Sequence, residues 1–440
     1  MQTASKKVIN GWAMFDWANS VYNLVITSTI FPAYYEAIAK DDGTPDDAKI
    51  VYVHFLGRKF INTALYNYAL AVALLIVAII LPLLTSIADY RGNKKKFMAF
   101  FFTLGSIACA ALYFFNSPGT LWVGILFMMM ACICFWSSYV FSNSFLPEIA
   151  APEDRDRVSA KGFSYGYVGS VILQVICFVF VMGHKSFGIS EGEGSRISFL
   201  LVGIWWLIFG YYSFFRLPNG VAAGNTNSKN NIVTDGYKEL IKVWKQLKQM
   251  PVIKRYLGSF FFYNMGVQTV MLAATLYGKS ELEIPVPNLI AAILLIQLVA
   301  IPGAYVISKL SGKVGNFKAL MCVILFWVLL CIAAYFVPKH AIVQFYILGA
   351  CVGFVMGGIQ SLSRSTYSKL MPETKDTASF FSFYDVTEKV AVVIGMLSFG
   401  YITELTGSQR GSVLALAVFF IIGLVILYSA LKKQQQEQQS

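Results

Sequence analysis

Five polar side chains recur along the first long apolar segment, at positions that share one face of a helix. They are Asp16, Asn19, Ser20, Asn23 and Thr27, spaced at i, i+3, i+4, i+7 and i+11. A polar stripe on an apolar helix is costly against lipid, but it is tolerated beside a water-filled cavity. The stripe therefore predicts a cavity-lining helix in which Asp16, Asn19 and Asn23 face a bound ligand. Hydrogen bonding that merely holds neighbouring helices together is the alternative.

A second polar stripe, formed by Asn264, Gln268 and Thr275, lies in the second half of the chain. Gln360 lies on a later apolar segment, four residues before Arg364. Each of these residues is a polar group inside an apolar run, which lipid would penalise. We therefore expect Asn264, Gln268 and Gln360 to line the same cavity as the first stripe.

Arg364 lies near the end of its apolar segment and has two interpretations. In the first, its guanidinium group clamps a ligand carboxylate or another anion. In the second, it belongs to a gate, where it reaches lipid phosphate or pairs with Asp89 or Glu148.

Asp385, Glu388 and Lys389 bring three charges into one apolar segment. Asp385 and Lys389 are four residues apart with the acid first, which favours an ion pair within the helix. Such a pair could be purely structural, and it would leave Glu388 as an unpaired acid. An acid in low-dielectric surroundings is suited to take up and release a proton. We therefore hypothesise proton exchange at Glu388 or Asp385.

The composition shows which elements must position these groups. The 440 residues are 57% hydrophobic and 13% charged, whereas globular domains carry about 25% charged residues. Too little polar material remains to cover soluble domains, so lipid is the natural solvent. Long unbroken apolar runs disfavour a transmembrane β-barrel, whose strands alternate polar and apolar residues. We therefore expect an all-α integral membrane protein.

Twelve segments are long enough for membrane-spanning helices, which need about 20 apolar residues. The predicted spans are 12–38, 63–88, 97–115, 120–146, 161–183, 197–215, 256–279, 287–310, 318–337, 340–369, 379–405 and 411–431. Residues 216–255 divide them six and six. This predicts an N-terminal six-helix bundle (1–215), a cytoplasmic linker (216–255), and a C-terminal six-helix bundle with a short cytoplasmic tail (256–440).

The linker contains a predicted amphipathic helix, which we expect to lie on the membrane surface. Its apolar face is formed by Tyr237, Leu240, Ile241, Trp244 and Leu247, and lysines occupy the other face.

The net charge of +12 comes from short clusters of Lys and Arg between apolar runs, which argues against nucleic-acid binding. With the N-terminus inside, the inner loops and tails hold roughly 25 basic residues and the outer loops about 9. Such a bias orients membrane proteins with their basic loops in the cytoplasm. We therefore expect both termini to be cytoplasmic.

Two short motifs recur at equivalent places in both halves. The Gly92-Asn-Lys-Lys motif returns at Gly315 as Gly-Asn-Phe-Lys, an offset of 223 residues, and the Pro147-Glu motif returns at Pro372, an offset of 225. Agreement to within two residues predicts a duplicated six-helix unit. Secondary transporters with this architecture place their ligand between the halves, near the bilayer midplane.

The loop Asp89-Tyr-Arg91-Gly-Asn-Lys-Lys resembles the signature loop of the major facilitator superfamily, in which a small residue and an acid precede a glycine and a basic run. The second copy has Gly312 in place of the acid. Three further stretches begin at Gly11 (Gly-Trp-Ala-Met-Phe-Asp-Trp-Ala-Asn-Ser), at Gly357 (Gly-Gly-Ile-Gln-Ser-Leu-Ser-Arg-Ser) and at Phe380 (Phe-Phe-Ser-Phe-Tyr-Asp-Val-Thr-Glu-Lys). Together they resemble the vacuole-effluxer-like branch, named for a fungal autophagy-related vacuolar amino-acid exporter.

This resemblance implies a twelve-helix rocking bundle that exports or takes up small solutes, amino acids among the candidates. It also implies that predicted spans 1, 4, 7 and 10 line the central cavity. We expect gating and coupling to involve Asp89, Arg91, Glu148, Asp385, Glu388 and Lys389.

Other classes of function are disfavoured. The sequence has no Gly-rich phosphate-binding loop for an ATPase, and no constellation of acids and histidines for a membrane-embedded enzyme. We expect no cofactor and no metal, because the seven cysteines lie inside apolar runs as packing residues. A drug or other small-molecule antiporter stays open, as does a non-transporting receptor or scaffold on a transporter fold. The expected partners are a small-molecule substrate, membrane lipid and protons, for a monomer in the bacterial inner membrane.

Overall fold

The computed structural model describes residues 2–41, 51–220 and 232–439, and in these ranges the chain is almost entirely helical. The α-helices are α1 (Lys6–Val21), α2 (Ile30–Ile38), α3 (Asn62–Arg91), α4 (Lys94–Ala111), α5 (Leu121–Ser144), α6 (Leu146–Ile149), α7 (Arg155–Met182), α8 (Glu191–Phe214), α9 (Ile232–Lys248), α10 (Pro251–Ser280), α11 (Val286–Val314), α12 (Asn316–Phe336), α13 (Ile342–Leu370), α14 (Thr377–Thr406) and α15 (Gln409–Gln439). A π-helical segment, Tyr22–Thr29, joins α1 to α2, and an antiparallel hairpin of β1 (Tyr52–Phe55) and β2 (Arg58–Ile61) precedes α3. The predicted all-α class is confirmed, with this small hairpin as an addition.

Ten helices in the described ranges are long and apolar enough to cross a membrane, namely α3, α4, α5, α7, α8 and α11 to α15. The predicted spans 12–38 and 256–279 fall on α1–α2 and on α10, which carry the two polar stripes and are therefore less apolar. Helices satisfy their backbone hydrogen bonds internally, as a lipid environment requires. The protein is a multi-pass integral membrane protein.

The helices pack as two sets. In the first set, α1 packs on α7 and α8, and α5 packs on α3 and α4. In the second set, α10 packs on α14 and α15, α11 packs on α13, and α12 packs on α15. Between the sets, α3 packs on α14, and α7 packs on α11 and α13. These crossing pairs decide which side chains meet where the two sets join.

Close backbone packing holds α13 against α11. Gly353 and Gly357 lie against the backbone carbonyls of Ile296 and Ala300, and a β-carbon at either glycine would collide with them. A β-carbon at Gly349, on the same helix face, would make only ordinary contact with Ile296. Small residues serve this purpose in membrane bundles, where helices associate by close packing.

Helix α9 packs beside the bundle, against α3, α10 and α14. Gly236 and Leu247 are buried in this contact. The predicted apolar face is divided, because three of its members are exposed: Tyr237, Ile241 and Trp244. The part of the predicted linker at 221–231 lies outside the described residues.

Candidate functional site

A cavity of about 420 Å³ lies between the two helix sets. Its wall comes from α1, the π-helical segment, α2, α3, α5 and α7 on one side, and from α10, α11, α13 and α14 on the other. Six of the residues predicted for this cavity lie on its wall: Asn19, Asn23, Asn264, Gln268, Gln360 and Arg364. Tyr167 donates a hydrogen bond to Gln360 Oε1 at 2.7 Å, which links the two sets at the wall.

Asp16 is the predicted cavity residue that does not line the cavity. Its side chain is buried beneath Arg364, which separates it from the open space. The polar stripe of the first helix thus has two roles. Asp16 forms an ion pair with Arg364, whereas Asn19, Ser20 and Asn23 line the cavity wall.

The π-helical segment shapes the wall next to Asn19. Ser28 Oγ donates to the Asn23 carbonyl at 2.8 Å, and Thr29 Oγ1 donates to the Leu24 carbonyl at 2.7 Å, each five residues back along the chain. Thr29 Oγ1 also donates to Gln174 Oε1 on α7 at 2.9 Å. Such wide turns inside helices occur frequently at functional sites. Here the turn presents Asn23 to the cavity.

Arg364 forms the floor of the cavity and joins the two helix sets. Its Nη1 and Nη2 atoms both donate to Asp16 Oδ2 at 3.1 Å, and Nη1 donates to Asn143 Oδ1 at 3.0 Å. Its Nε donates to Ser159 Oγ at 3.0 Å, and Nη2 donates to the Ser159 carbonyl at 2.9 Å. The three partners lie on α1, α5 and α7, whereas Arg364 lies on α13. The guanidinium group is therefore fully engaged in closing the floor.

Two aromatic rings complete the surroundings of this guanidinium group. The Trp12 ring centre lies 4.7 Å from Arg364 Cζ, and the Phe163 ring centre lies 4.2 Å from it. Aromatic faces attract cations, more strongly where water is excluded. The rings thus stabilise a buried charge that also has a carboxylate partner.

The expectation that Arg364 pairs with Asp89 or Glu148 is wrong. Asp89 instead accepts hydrogen bonds from the backbone N–H of Ser379 at 2.7 Å and from that of Ala378 at 3.3 Å, both in the first turn of α14. The first N–H groups of a helix lack partners within the helix and carry its positive dipole, so a carboxylate is stabilised there. Arg364 lies deeper in the bundle, where Asp16 is the acid within its reach.

Glu148 pairs with Lys94 at the same end of the bundle. Thr377 Oγ1 donates to Glu148 Oε1 at 2.8 Å, and Lys94 Nζ donates to Thr377 Oγ1 at 3.0 Å. These contacts tie the start of α14 to α4 and α6. Arg91, also predicted for the gate, ends α3, and its buried Nε atom has no hydrogen-bond partner within the described residues.

We call the contacts of Asp89 with the start of α14 a latch, because they join the two helix sets. Asp156 provides a second latch, which the sequence did not reveal. Its carboxylate accepts hydrogen bonds from Ser311 Oγ at 2.7 Å, from Asn316 Nδ2 at 2.8 Å and from Lys369 Nζ at 2.6 Å. Asp156 lies in the first turn of α7 and its three partners lie on α11, α12 and α13. In the sequence it stands between two arginines and reads as part of a basic cluster.

The two latches occupy equivalent places in the internal repeat, but their acids come from different elements. The acid lies at the end of a helix in the first latch and at the start of a helix in the second. In the first, Asp89 at the end of α3 meets the start of α14. In the second, Gly312 occupies the equivalent place on α11, and the acid is Asp156 at the start of α7. The missing acid at Gly312 is therefore replaced from the other side of the interface.

Asp385, Glu388 and Lys389 form a charged trio beside the cavity. Lys389 Nζ lies 3.1 Å from Asp385 Oδ1 and 3.2 Å from Glu388 Oε2. The expectation of an unpaired Glu388 is wrong, because the long lysine side chain reaches both acids. Gln268 Nε2 donates to Glu388 Oε1 at 2.9 Å, and Lys389 Nζ lies 3.2 Å from the ring centre of Trp136 on α5. Glu388 and Lys389 line the cavity, whereas Asp385 lies behind them.

Most side-chain hydrogen bonds and ion pairs that cross between the sets, among the described residues, cluster at one end of the bundle, whereas the Tyr167–Gln360 bond lies at the cavity wall. That end holds Asp89, Asp156 and the ends of α3 and α13, together with the starts of α7 and α14. The cavity wall extends the other way, to Asn67 near the start of α3 and Thr275 near the end of α10. We call the first the latched end. The geometry is that of a chamber with polar groups on a largely apolar wall, closed at the latched end.

A metal centre finds no support in the part of the chain that the structure describes, where no group of three or more His, Cys, Asp or Glu residues is placed to hold an ion.

Known proteins resemble this chain along most of its length. Residues 4–440 match the family described as "Vacuole effluxer Atg22 like". An uncharacterized MFS-type transporter of Bacillus subtilis, YxiO, is 31% identical over 420 residues, covering 95% of this chain and 93% of that protein. Autophagy-related protein 22-1 of Penicillium rubens is 26% identical over 543 residues, covering 96% of this chain and 89% of that protein.

Solved structures resemble it in fold. The major facilitator superfamily transporter FucP, in its outward conformation, superposes with a TM-score of 0.69 at 12% identity, covering 96% of this chain and 97% of that one. The predicted resemblance to the vacuole-effluxer-like branch is confirmed. The chain belongs to the vacuole effluxer Atg22-like family and is a membrane transporter of the major facilitator type.

Proposed function

We propose that this protein is a secondary active transporter that moves a small polar solute by alternating access. The carrying observation is the chamber between the two sets, which has polar groups on both walls and is sealed at the latched end by contacts that cross the interface. In this proposal, residues 1–215 and 256–440 rock as two six-helix bodies. The protein is then a carrier and not an enzyme.

The latches suit such a movement because each is made of separable partners. Arg364 and Asp16, Asp89 and the start of α14, and Asp156 with Lys369 all lie on opposite sets. Opening the latched end separates these pairs and exposes both members to water, so the cost of breaking them is partly offset by hydration. A solute that binds better in one state then shifts the population.

The wall chemistry supports a solute that carries both hydrogen-bonding and charged groups. Amide side chains line both walls, and the cavity charges of Glu388 and Lys389 lie next to each other. An amino acid presents an ammonium and a carboxylate group close together, which matches this arrangement. The name of the matching family, a vacuole effluxer, is consistent with export of such a solute.

Proton coupling through the trio is part of the proposal. Two carboxylates share one ammonium group, so the fully ionised trio carries one excess negative charge in a buried place. A proton on Glu388 neutralises that charge, and Glu388 is the acid that reaches the cavity. Protonation would also free Lys389 from one of its partners, which links proton binding to the chamber.

Uptake of labelled amino acids into proteoliposomes under a pH gradient tests the transport proposal, and counterflow against unlabelled amino acid tests exchange without the gradient. We expect uptake that collapses with an uncoupler, and an E388Q variant that exchanges solute without responding to the gradient. The matched control is E404Q, which neutralises an exposed acid on the same helix. Counterflow that is absent for every class of small solute overturns transport, and wild-type gradient dependence in E388Q overturns coupling at Glu388.

An organic-cation antiporter is the second candidate, and one observation favours it. The excess negative charge lies among aromatic side chains that line the cavity, including Trp136, Tyr139, Tyr263 and Tyr384. A thermal-shift screen against amino acids, sugars, nucleosides and cationic drugs separates the two, because a bound ligand stabilises the folded protein. Stabilisation by cationic drugs alone would favour the antiporter.

We further propose that the latched end faces the cytoplasm, with both termini on that side of a bacterial inner membrane, and that a monomer is the working unit. The clustering of basic residues near this end supports the orientation. Labelling of single cysteines from each side of intact cells tests it. Crosslinking in membranes tests the monomer.

A further inference from the structure

One face of α9 is largely exposed and combines apolar with basic side chains. Tyr237 is 58% exposed, Ile241 36% and Trp244 44%. Lys245 and Lys248 are exposed as well, and the Lys238 side chain is 70% exposed. We call these six residues the outer face of α9. Helix α9 lies beside the latched end, and none of its residues lines the cavity.

Lys238 Nζ lies 3.9 Å from Asp235 Oδ1, so the acids of α9 offset part of the basic charge at the outer face. Asp235 has a side chain only 6% exposed, and the Glu239 side chain is 13% exposed, so both point towards the bundle. Lys242 neutralises Glu239 at 2.6 Å and also lies 3.2 Å from Asp376, which precedes α14. The charge presented outwards is therefore positive.

The order of side chains around the helix fits a membrane surface. Successive residues turn by about 100°, which places Tyr237, Ile241 and Trp244 in one arc next to the buried Leu247. Lys248 falls inside this arc, with its Nζ atom 5.1 Å from the Trp244 ring centre. Lys238 and Lys245 follow on the side farther from the bundle. Helices that lie in the interface have this order, with aromatic and aliphatic groups at the acyl boundary and lysines among the headgroups.

We propose that the outer face of α9 binds the anionic phospholipid headgroups of the leaflet at the latched end. The occupant follows from charge complementarity together with the exposed Trp and Tyr, which favour the boundary between water and acyl chains. Clusters of lysines on an amphipathic helix bind anionic lipids through their surface potential. This inference goes beyond transport and does not depend on the identity of the solute.

Packing supports a fixed position for this surface. Trp244 stacks on Phe383 of α14 with ring centres 5.5 Å apart, and Gly236 lies against Ile87 of α3. The helix is thus held on both sets at once, with its lysines pointing outwards. A preset surface binds lipid without first having to order a helix.

Hydrogen exchange of the full-length protein in lipid nanodiscs tests the proposal. We expect amides in residues 234–248 to exchange at least about five-fold more slowly in phosphatidylglycerol than in phosphatidylcholine, the gain expected from even one lysine at an anionic surface. Added salt should reduce the difference, because exposed charges are screened. The K238Q/K245Q/K248Q variant should lose it.

The matched control neutralises three exposed lysines elsewhere, as K59Q/K185Q/K279Q, with the same change in net charge. This control should keep the lipid dependence, and both variants should melt at the wild-type temperature. Equal exchange in the two lipids overturns the proposal, as does equal loss in both variants. If exchange is lipid-independent but slows on adding an acidic protein, the face binds protein instead and the lipid proposal fails. Solute counterflow does not enter the readout, so failure here leaves the transport proposal untouched.

Discussion

Arg364 and Asp16 form an ion pair between the two helix sets, with both terminal guanidinium nitrogens 3.1 Å from Asp16 Oδ2. The side chains are 2% and 3% exposed, so neither charge has water as an alternative partner. Removing one member of such a pair leaves an uncompensated buried charge. A buried pair of this kind is therefore a sensitive probe of the latched state.

We predict that Asp16→Asn lowers the stability of the latched state by about 3–5 kcal/mol, the cost typical of breaking a buried pair from one side. Thermal unfolding in detergent measures this as a lower melting temperature. The double variant D16N/R364Q should recover part of the loss, because it buries no unpaired charge. A double variant as unstable as the sum of both single variants would contradict the pairing.

We predict that Asp89→Asn weakens the contact between α3 and α14. An amide retains some hydrogen bonding to the Ser379 N–H but loses the charge that the helix start stabilises, a difference of about 1–2 kcal/mol. Spin-label distances across the latched end should shift towards an open state. Glu153→Gln, at an exposed acid near the same end, should leave the distances unchanged.

We predict that Asp156→Ala opens the other side of the same end. The substitution leaves Lys369 without its carboxylate partner and removes the acceptor of Ser311 and Asn316. A single cysteine introduced near the start of α7 should react several-fold faster with a water-soluble thiol reagent. If both Asp89→Asn and Asp156→Ala leave accessibility at its original level, the latch assignment is wrong.

We predict that Gly357→Ala destabilises the protein, whereas Gly349→Ala does not. A β-carbon at Gly357 meets the Ala300 carbonyl on α11, so one helix must shift. A β-carbon at Gly349 has room, and Ala is favoured over Gly in helices by about 1 kcal/mol. Melting temperatures of the two variants should therefore change in opposite directions. Equal melting temperatures would mean that α13 and α11 do not pack this closely.

We predict that the docking of α9 weakens as the pH rises through the raised pKa of Glu239. Burial and the nearby Asp376 carboxylate raise the pKa of Glu239. A raised carboxyl pKa means that the docked helix binds a proton more readily than the free helix, so docking is favoured at low pH and loses that contribution as the pH rises through the raised value. Lys242 remains charged throughout this window and pairs with both acids.

The measurement is amide exchange of residues 234–248 between pH 4 and 7, corrected for intrinsic exchange. Glu239→Gln should flatten the dependence and protect α9 at neutral pH, because it removes one of two carboxylates that share Lys242. Glu373→Gln, a nearby acid outside this cluster, serves as the control. A steeper dependence in Glu239→Gln would contradict the sign.

Much of the fold follows from local properties of the sequence. Hydropathy and charge are read residue by residue, so apolar runs predict the membrane helices. The polar stripe that includes Asn19 and Asn23 was recognisable for the same reason, since a helix has a fixed periodicity. The π-helical segment between α1 and α2 and the small hairpin before α3 leave no such periodic signal.

The pairing of charges between helices was decided by the tertiary structure, whereas the Asp385–Lys389 pair within α14 followed from its spacing. Asp16 and Arg364 are 348 residues apart, and nothing in the local sequence distinguishes Asp16 from Asp89 or Glu148 as a partner. Asp156 sits between arginines in sequence, yet three donors from the other helix set surround it in space. An ion pair depends on a few ångströms of separation and on the exclusion of water, and both are set only when distant helices pack together.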